Sequence, residues 1–135
     1  MAKGFSPRNN QPWKIGIDYP KLNSAKGNNY TTYLLSNMAI ATSGNYRHFK
    51  IDQVTGKRFS HTIDPRTGKS VQSKILSASV IASDCAKADA WATALMVLDL
   101  EEGLNLVEKN KQIEALWIIS DDESLKSVFS SGWKN

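Results

Sequence analysis

The chain has 135 residues, of which 41% are hydrophobic, and a formal net charge of +4. This length supports one modest hydrophobic core, so we expect a single domain. No apolar run approaches the roughly 18 residues that a transmembrane helix needs. The single cysteine, Cys85, excludes an intrachain disulfide and a cysteine-based zinc site. We expect Cys85 to be a small buried residue at a helix start.

The charge is unevenly distributed along the chain. Residues 1–83 carry 12 Lys and Arg against 3 Asp, whereas residues 84–135 carry 5 Lys against 10 Asp and Glu. The basic half would attract the phosphates of a nucleotide or of a nucleic acid. Lysines on exposed strand surfaces would produce the same pattern. Because no Arg-rich run or interleaved aromatic stripe is present, we expect no nucleic-acid partner.

The first two thirds of the chain are typical of strands joined by turns. Alternating or β-branched and aromatic segments predict strands over Trp13–Asp18, Tyr30–Thr42, Tyr46–Ile51, Lys57–Ile63 and Gln72–Ala82. The third and fourth flank Asp52–Gly56 and predict a hairpin. Asp64–Gly68 predicts a tight turn, with Asp first, Pro second and Gly last.

The last third favours helices. The pattern predicts a helix from Ser83 or Asp84 to about Leu98 and, after a short break at Gly103, a second helical segment that ends near Asn110. It also predicts a strand over Glu114–Ser120 and a short helix over Ser124–Phe129. Strands followed by helices indicate an α+β fold rather than alternating α/β. We therefore expect a mostly antiparallel sheet packed by a long C-terminal helix.

Two polar residues interrupt the apolar helical run Ala88–Leu98, namely Asp89 and Thr93. They are four residues apart, so they lie on one helix face. The apolar neighbours predict that both side chains are buried, where a carboxylate without a basic partner is costly. A carboxylate and a hydroxyl suit Mg²⁺. The helix alone leaves a structural alternative open. Thr93 can donate a hydrogen bond to the carbonyl four residues earlier, and the helix dipole favours an Asp such as Asp89 near the start of a helix.

Four segments, in order along the chain, resemble one family. Ser60–Gly68 looks like its H-x-I-D-P-x-T-G signature, and Asp89–Leu95 is similar to its D-A-x-A-T-A helix. Ala41–Tyr46 matches its T-S-G-D-Y strand end, with Asn45 in place of the usual acid. Pro12–Ile17 fits its P-W-x-I-G-I strand. These motifs resemble those of the ApbE family of flavin transferases, whose domain is of a T-fold-like type.

The resemblance implies a Mg²⁺-dependent FAD:protein FMN transferase, which moves FMN from FAD to a Thr or Ser hydroxyl and releases AMP. It implies that Asp89 and Thr93 are the side-chain metal ligands and that His61 acts near the transferred phosphoryl group, as a base. The residues implied to contact FAD are Thr42, Ser43, Gly44, His61, Asp64, Thr67 and Gly68. Arg66 is expected either to meet a phosphate or to lie in water.

The resemblance begins in the middle of the family's domain. We therefore expect residues 1–135 to be the C-terminal part of an ApbE-like domain, with the N-terminal half absent and transfer activity low in this chain alone. The strands Ile75–Ala82 and Tyr33–Ala41 would then offer an apolar edge for self-association or for a separate N-terminal half.

The family also implies a target protein of the electron-transfer flavoprotein class and an extracytoplasmic, membrane-anchored lipoprotein. Residues 1–10 carry no signal-peptide core. Two alternatives remain open: a non-catalytic FAD- or nucleotide-binding module, and a half-domain that assembles with a separate N-terminal half.

Overall fold

The computed structural model describes residues 1–20, 29–45, 49–51, 53, 58–121 and 124–134. The elements are, in chain order, β1 (Trp13–Asp18), β2 (Asn29–Leu35), β3 (Ala39–Gly44), β4 (Phe49–Ile51), β5 (Arg58–Ser60), β6 (Ile63–Asp64), β7 (Lys69–Ser70), β8 (Ile75–Ala82), α1 (Cys85–Leu95), α2 (Leu100–Lys109), β9 (Glu114–Asp121) and β10 (Ser124–Phe129). All strand pairs are antiparallel, which confirms the predicted α+β class. No helix in the described residues is long and apolar enough to span a membrane.

A four-stranded sheet in the order β10-β9-β8-β3 organises the fold. Its central strand β8 is buried along nearly its whole length, because both faces of the sheet are covered. On one face, α1 packs against β3 and β8 around a core that includes Val80, Leu95 and Trp117. On the other face, Ile81 and Leu116 belong to a second core with residues of the β1–β2 hairpin.

The predicted final helix over Ser124–Phe129 is wrong, because this segment is strand β10 and pairs with β9 along its length. Its short apolar pattern fits either period, and pairing with β9 satisfies its backbone groups. The expected long C-terminal helix is also wrong. Instead, α1 ends at Leu95 and α2 starts at Leu100, because Asp99 caps α2 by accepting a hydrogen bond from the Glu102 backbone N–H at 2.9 Å. The expected break at Gly103 is therefore also wrong, since Gly103 is buried inside α2.

The predicted long strand Tyr30–Thr42 is two strands, β2 and β3, which belong to different sheets. The chain turns at Asn37, which has a left-handed φ of 54° that Asn tolerates better than most residues. The Asn37 side-chain oxygen also accepts a hydrogen bond from the Gly4 backbone N–H at 2.9 Å. A β-rich composition therefore concealed a turn between two apolar segments.

The predicted hairpin around residue 55 is confirmed by the pairing of β4 with β5, although residues 46–48 and most of its loop lie outside the described residues. The strand Ile75–Ala82 cannot serve as an open edge, because β8 lies between β9 and β3. The outer strands of this sheet are β3 and β10. Self-association stays a prediction, and β8 takes no part in it.

Ser130 fixes the chain after β10 to the sheet. Its buried hydroxyl accepts a hydrogen bond from the Ala115 backbone N–H at 2.9 Å and donates one to the Glu114 carboxylate at 2.5 Å. We expect Ser130→Ala to lower the free energy of unfolding by about 1–3 kcal/mol, because the buried Ala115 donor loses its hydroxyl partner. Urea denaturation of the two proteins measures this loss.

The matched control is Ser131→Ala. Ser131 also donates to a carboxylate, that of Glu108, but it is exposed. The control should change the free energy of unfolding by less than about 1 kcal/mol. Equal losses in the two variants would contradict this prediction, because they would show that the burial of Ser130 does not determine how much its hydrogen bonds contribute to the free energy of unfolding.

Candidate functional site

The orientation of α1 is set by a narrow buried face. Ala88, Ala92 and Leu95 are fully buried, at the spacing that lies along one side of a helix. Asp84 caps the helix as predicted, since its Oδ1 accepts a hydrogen bond from the Lys87 backbone N–H at 2.8 Å. The small alanines let α1 lie close against β3 and β8.

The predicted burial of Asp89 and Thr93 is wrong, because both residues are exposed, outside the narrow face of α1 that Ala88, Ala92 and Leu95 bury. Ala90 and Ala94 are exposed as well, so apolar composition overstated how much of the helix is buried. The predicted burial of Cys85 is wrong for the same reason, and its thiol is exposed at the first residue of the helix. The carboxylate and the hydroxyl of the pair are therefore accessible to a ligand.

The hydroxyl of Thr93 is tied to the end of β3. Thr93 Oγ1 and Ser43 Oγ share a hydrogen bond of 3.2 Å. The preceding residue, Thr42, shares one of 2.7 Å with Ser79 of β8 across the sheet. Gly44 closes β3, paired with Ser77. The structure thus brings Ser43, one of the predicted FAD-contacting residues of β3, beside Thr93, one of the two predicted metal ligands, whereas Thr42 bonds across the sheet to β8.

A second link joins the end of β3 to the segment that contains His61. Thr62 Oγ1 donates a hydrogen bond to Asn45 Oδ1 at 2.7 Å, and the Asn45 backbone N–H donates to the Leu76 carbonyl at 2.9 Å. His61 itself is exposed. Sequence reasoning gave no role to Asn45 or Thr62. The signal for Asn45 was its place in the T-S-G-D-Y motif, where it stands in place of the usual acid.

The predicted turn at Asp64–Gly68 is confirmed. The Asp64 carbonyl accepts hydrogen bonds from the backbone N–H groups of Thr67 and Gly68, and Gly68 has a φ of 67°, which favours glycine. Asp64 Oδ1 accepts from the Arg66 backbone N–H at 2.9 Å and from Arg66 Nε at 3.0 Å. These hydrogen bonds from Arg66 hold the pKa of Asp64 below its usual value.

Arg66 is engaged with carboxylates. Besides its hydrogen bonds to Asp64, its Nη1 lies 3.8 Å from the Glu102 carboxylate of α2, and its side chain is 57% exposed. The turn thus faces the start of α2, while the His61 segment before it is bonded to the end of β3. Thr67 and Gly68 help to form this turn, because their backbone N–H groups donate to the Asp64 carbonyl.

Asp89 and Thr93 fit a Mg²⁺ ion by the chemistry of their donors. They offer one carboxylate and one hydroxyl on an accessible face, and within the described ranges no ion pair neutralises Asp89. The part of the chain that the structure describes holds no group of three His, Cys, Asp or Glu suited to a metal. An ion bound here would take most of its ligands from water or phosphate oxygens, which Mg²⁺ accepts.

Comparison with known proteins gives consistent results in sequence and in fold. A sequence profile described as the ApbE family matches residues 1–117. The FAD:protein FMN transferase of Vibrio cholerae is 36% identical over 132 residues, which cover 98% of this chain and 38% of the relative. The FAD:protein FMN transferase of Escherichia coli K12 is 34% identical over 125 residues, covering 92% and 34%.

Solved structures agree with the sequence matches. The flavin transferase ApbE from Vibrio cholerae superposes with a TM-score of 0.74 at 35% identity, covering 95% of this chain and 38% of that one. The apo flavinyl transferase ApbE of Pseudomonas stutzeri gives 0.74 at 31% identity, covering 96% and 38%. The chain thus spans little more than a third of the length of these relatives. On the match over residues 1–117 and the shared fold, the chain belongs to the ApbE family.

Proposed function

We propose that this chain supplies the pyrophosphate-binding part of a Mg²⁺-dependent FAD:protein FMN transferase. The observation that carries the proposal is the hydrogen bond between Thr93 of α1 and Ser43 at the end of β3. This hydrogen bond joins the Thr93 hydroxyl to the polar end of β3, and Asp89 lies one helical turn from Thr93 on α1. The named relatives are FAD:protein FMN transferases, which supports the same reaction.

The reaction is transfer of a phosphoryl-linked group. The oxygen of a Thr or Ser hydroxyl on the target forms a bond to the FMN-side phosphorus of FAD. The bond from that phosphorus to the bridging oxygen breaks, and AMP leaves with that oxygen and its electron pair. The hydroxyl proton passes to a ring nitrogen of His61, which is exposed and thus accessible to the target. Catalysis of this kind depends on positioning and charge stabilisation.

Asp89 and Thr93 would hold the Mg²⁺ ion, which when bound neutralises pyrophosphate charge. Thr42, Ser43 and Gly44 would bind the nucleotide from the end of β3. Asp64, Thr67 and Gly68 would form the turn around it, since the backbone of this turn is fixed by its own hydrogen bonds. These assignments follow the family resemblance, and none of these residues is buried: Ser43, Gly44 and Asp64 are half-buried and the others are exposed.

The partners are part of the proposal. The target would be a protein of the electron-transfer flavoprotein class, and the site of action extracytoplasmic, on a lipid-anchored protein. We expect the 135-residue chain alone to bind FAD without multiple turnover, because phosphoryl transfer needs groups placed on several sides of the substrate.

The test is incubation of the chain with FAD, Mg²⁺ and an acceptor protein, with AMP release followed by chromatography and FAD binding by fluorescence anisotropy. We expect FAD binding that Mg²⁺ strengthens at least tenfold and that excess EDTA reverses, with less than one AMP released per chain. Multiple turnover would show that the chain is a complete transferase. Mg²⁺-independent binding, or none, would contradict the proposed site and leave the half-domain as the better description.

A further inference from the structure

The segment around His61 is attached to the fold from two directions. On one side it is bonded to β7 and the residue after it: Ser70 Oγ donates to the Ser60 carbonyl, and the Val71 N–H donates to the Thr62 carbonyl at 2.9 Å. On the other side it is bonded to the end of β3 by the hydrogen bond from Thr62 Oγ1 to Asn45 Oδ1. Both attachments hold residues next to His61.

The two attachments differ in what anchors them. The β6–β7 hairpin is only two residue pairs long, and its turn contacts α2 through the exposed Arg66–Glu102 pair. Asn45, by contrast, directly follows β3, and its backbone N–H donates to the Leu76 carbonyl beside the buried strand β8. Of these two attachments, the one through the side chain of Asn45 is therefore the firmer.

Asn45 also relates His61 to the helix. Asn45 is the residue that directly follows β3, two positions beyond Ser43. Ser43 bonds Thr93 of α1 at 3.2 Å, and Asn45 bonds Thr62 at 2.7 Å. The end of β3 thus holds the exposed face of α1 with one side chain and the neighbour of His61 with the next.

We propose that Asn45 is a positioning residue: through Thr62 it fixes His61 relative to the Asp89–Thr93 face of α1. The proposal rests on the proposed function, in which His61 and that face act on one substrate. Asn45 acts on His61 through its hydrogen bond to the next residue, Thr62. Loss of its hydrogen bond should leave the fold intact and let the His61 segment pivot about its attachment to β7.

The test measures the mobility of His61 by NMR relaxation of its backbone amide and imidazole ring. The chain has only two histidines, so a His48→Gln variant assigns the ring signals. In the unaltered protein we expect an amide order parameter near ~0.85, the value of rigid backbone, and below about 0.6 in Asn45→Ala and Thr62→Val. Thr62→Ser, which keeps the hydroxyl, should retain the order parameter of the unaltered protein. The double variant, Asn45→Ala with Thr62→Val, should be no more mobile at His61 than either single variant.

Ser36→Ala is the matched control, because Ser36 Oγ donates a hydrogen bond of 3.0 Å to the Gly4 carbonyl, away from the site. It should leave the His61 order parameter unchanged. A His61 that is equally rigid in Asn45→Ala and Thr62→Val, or already mobile in the unaltered protein, would overturn the proposal. Additive effects in the double variant would overturn it as well, because they would mean that the two residues act separately.

A separate titration distinguishes failure of the positioning role of Asn45 from failure of the proposed function. FAD with Mg²⁺ is added to the unaltered protein and the His61 ring signals are followed. If these signals do not respond while the variants still mobilise His61, the positioning role stands and the proposed function fails. If the His61 ring signals respond to FAD with Mg²⁺ but His61 stays rigid in the variants, the positioning role of Asn45 fails and the proposed function stands.

Discussion

Replacing Asp89 by Asn is expected to weaken FAD binding in the presence of Mg²⁺ at least tenfold and to abolish Mg²⁺-dependent FMN transfer wherever the complete enzyme is assembled. The amide keeps the shape of the side chain but removes the negative charge that attracts the cation. Because Asp89 is exposed, the fold should be unaffected, with a change in the free energy of unfolding within about 0.5 kcal/mol. Fluorescence anisotropy of FAD, with and without Mg²⁺, measures the loss.

Glu101→Gln is the control for this substitution. Glu101 is also exposed and helical, in the first turn of α2, so the variant makes the same change of charge away from α1. It should leave Mg²⁺-dependent FAD binding within about twofold, given its distance from the proposed ligands and the screening of surface charges by salt. Similar losses in both variants would mean that net charge, and not a carboxylate ligand at position 89, governs binding.

Trp117→Ala should cause the largest loss of stability. Trp117 is fully buried in the core between the sheet and the two helices. Removal of a buried aromatic side chain costs about 3–5 kcal/mol, a large part of the roughly 5–15 kcal/mol that stabilises an ordinary domain. Urea denaturation followed by circular dichroism measures the change in the free energy of unfolding.

Two variants define the origin of that loss. Trp117→Phe should be less damaging than Trp117→Ala, because it keeps an aromatic ring and removes an indole N–H that is buried without a partner among the described residues. Leu106→Ala, at a position 40% exposed on α2, should change the free energy of unfolding by less than about 1 kcal/mol. A Trp117→Ala protein as stable as the Leu106→Ala protein would contradict the assigned core.

The sequence was sufficient where periodicity and caps agree. Asp84 marks the start of α1 and the alternating pattern marks β1, and both are confirmed. It was insufficient where the outcome depends on tertiary pairing. Ser124–Phe129 becomes a strand because β9 offers it a partner, and the chain leaves β2 for another sheet at Asn37. Neither event leaves a periodic signal in the local sequence.

The candidate site shows a similar division. Motif resemblance selected Asp89 and Thr93, but composition predicted their burial, since it does not reveal which side of an alanine-rich helix meets the sheet. The hydrogen bond between Ser43 and Thr93 joins residues 50 positions apart. That between Asn45 and Thr62 spans the β4–β5 hairpin. Such long-range pairs emerge only from the fold.

The most direct test of the account locates the bound cation. Mn²⁺ replaces Mg²⁺ in the presence of FAD, and paramagnetic broadening of backbone amide signals is recorded along the chain. If the cation binds at Asp89 and Thr93, the strongest broadening is expected at Asp89–Thr93 and at Ser43–Asn45, and this broadening should be lost in Asp89→Asn. Broadening centred instead on the acidic start of α2, at Asp99, Glu101 and Glu102, would contradict it.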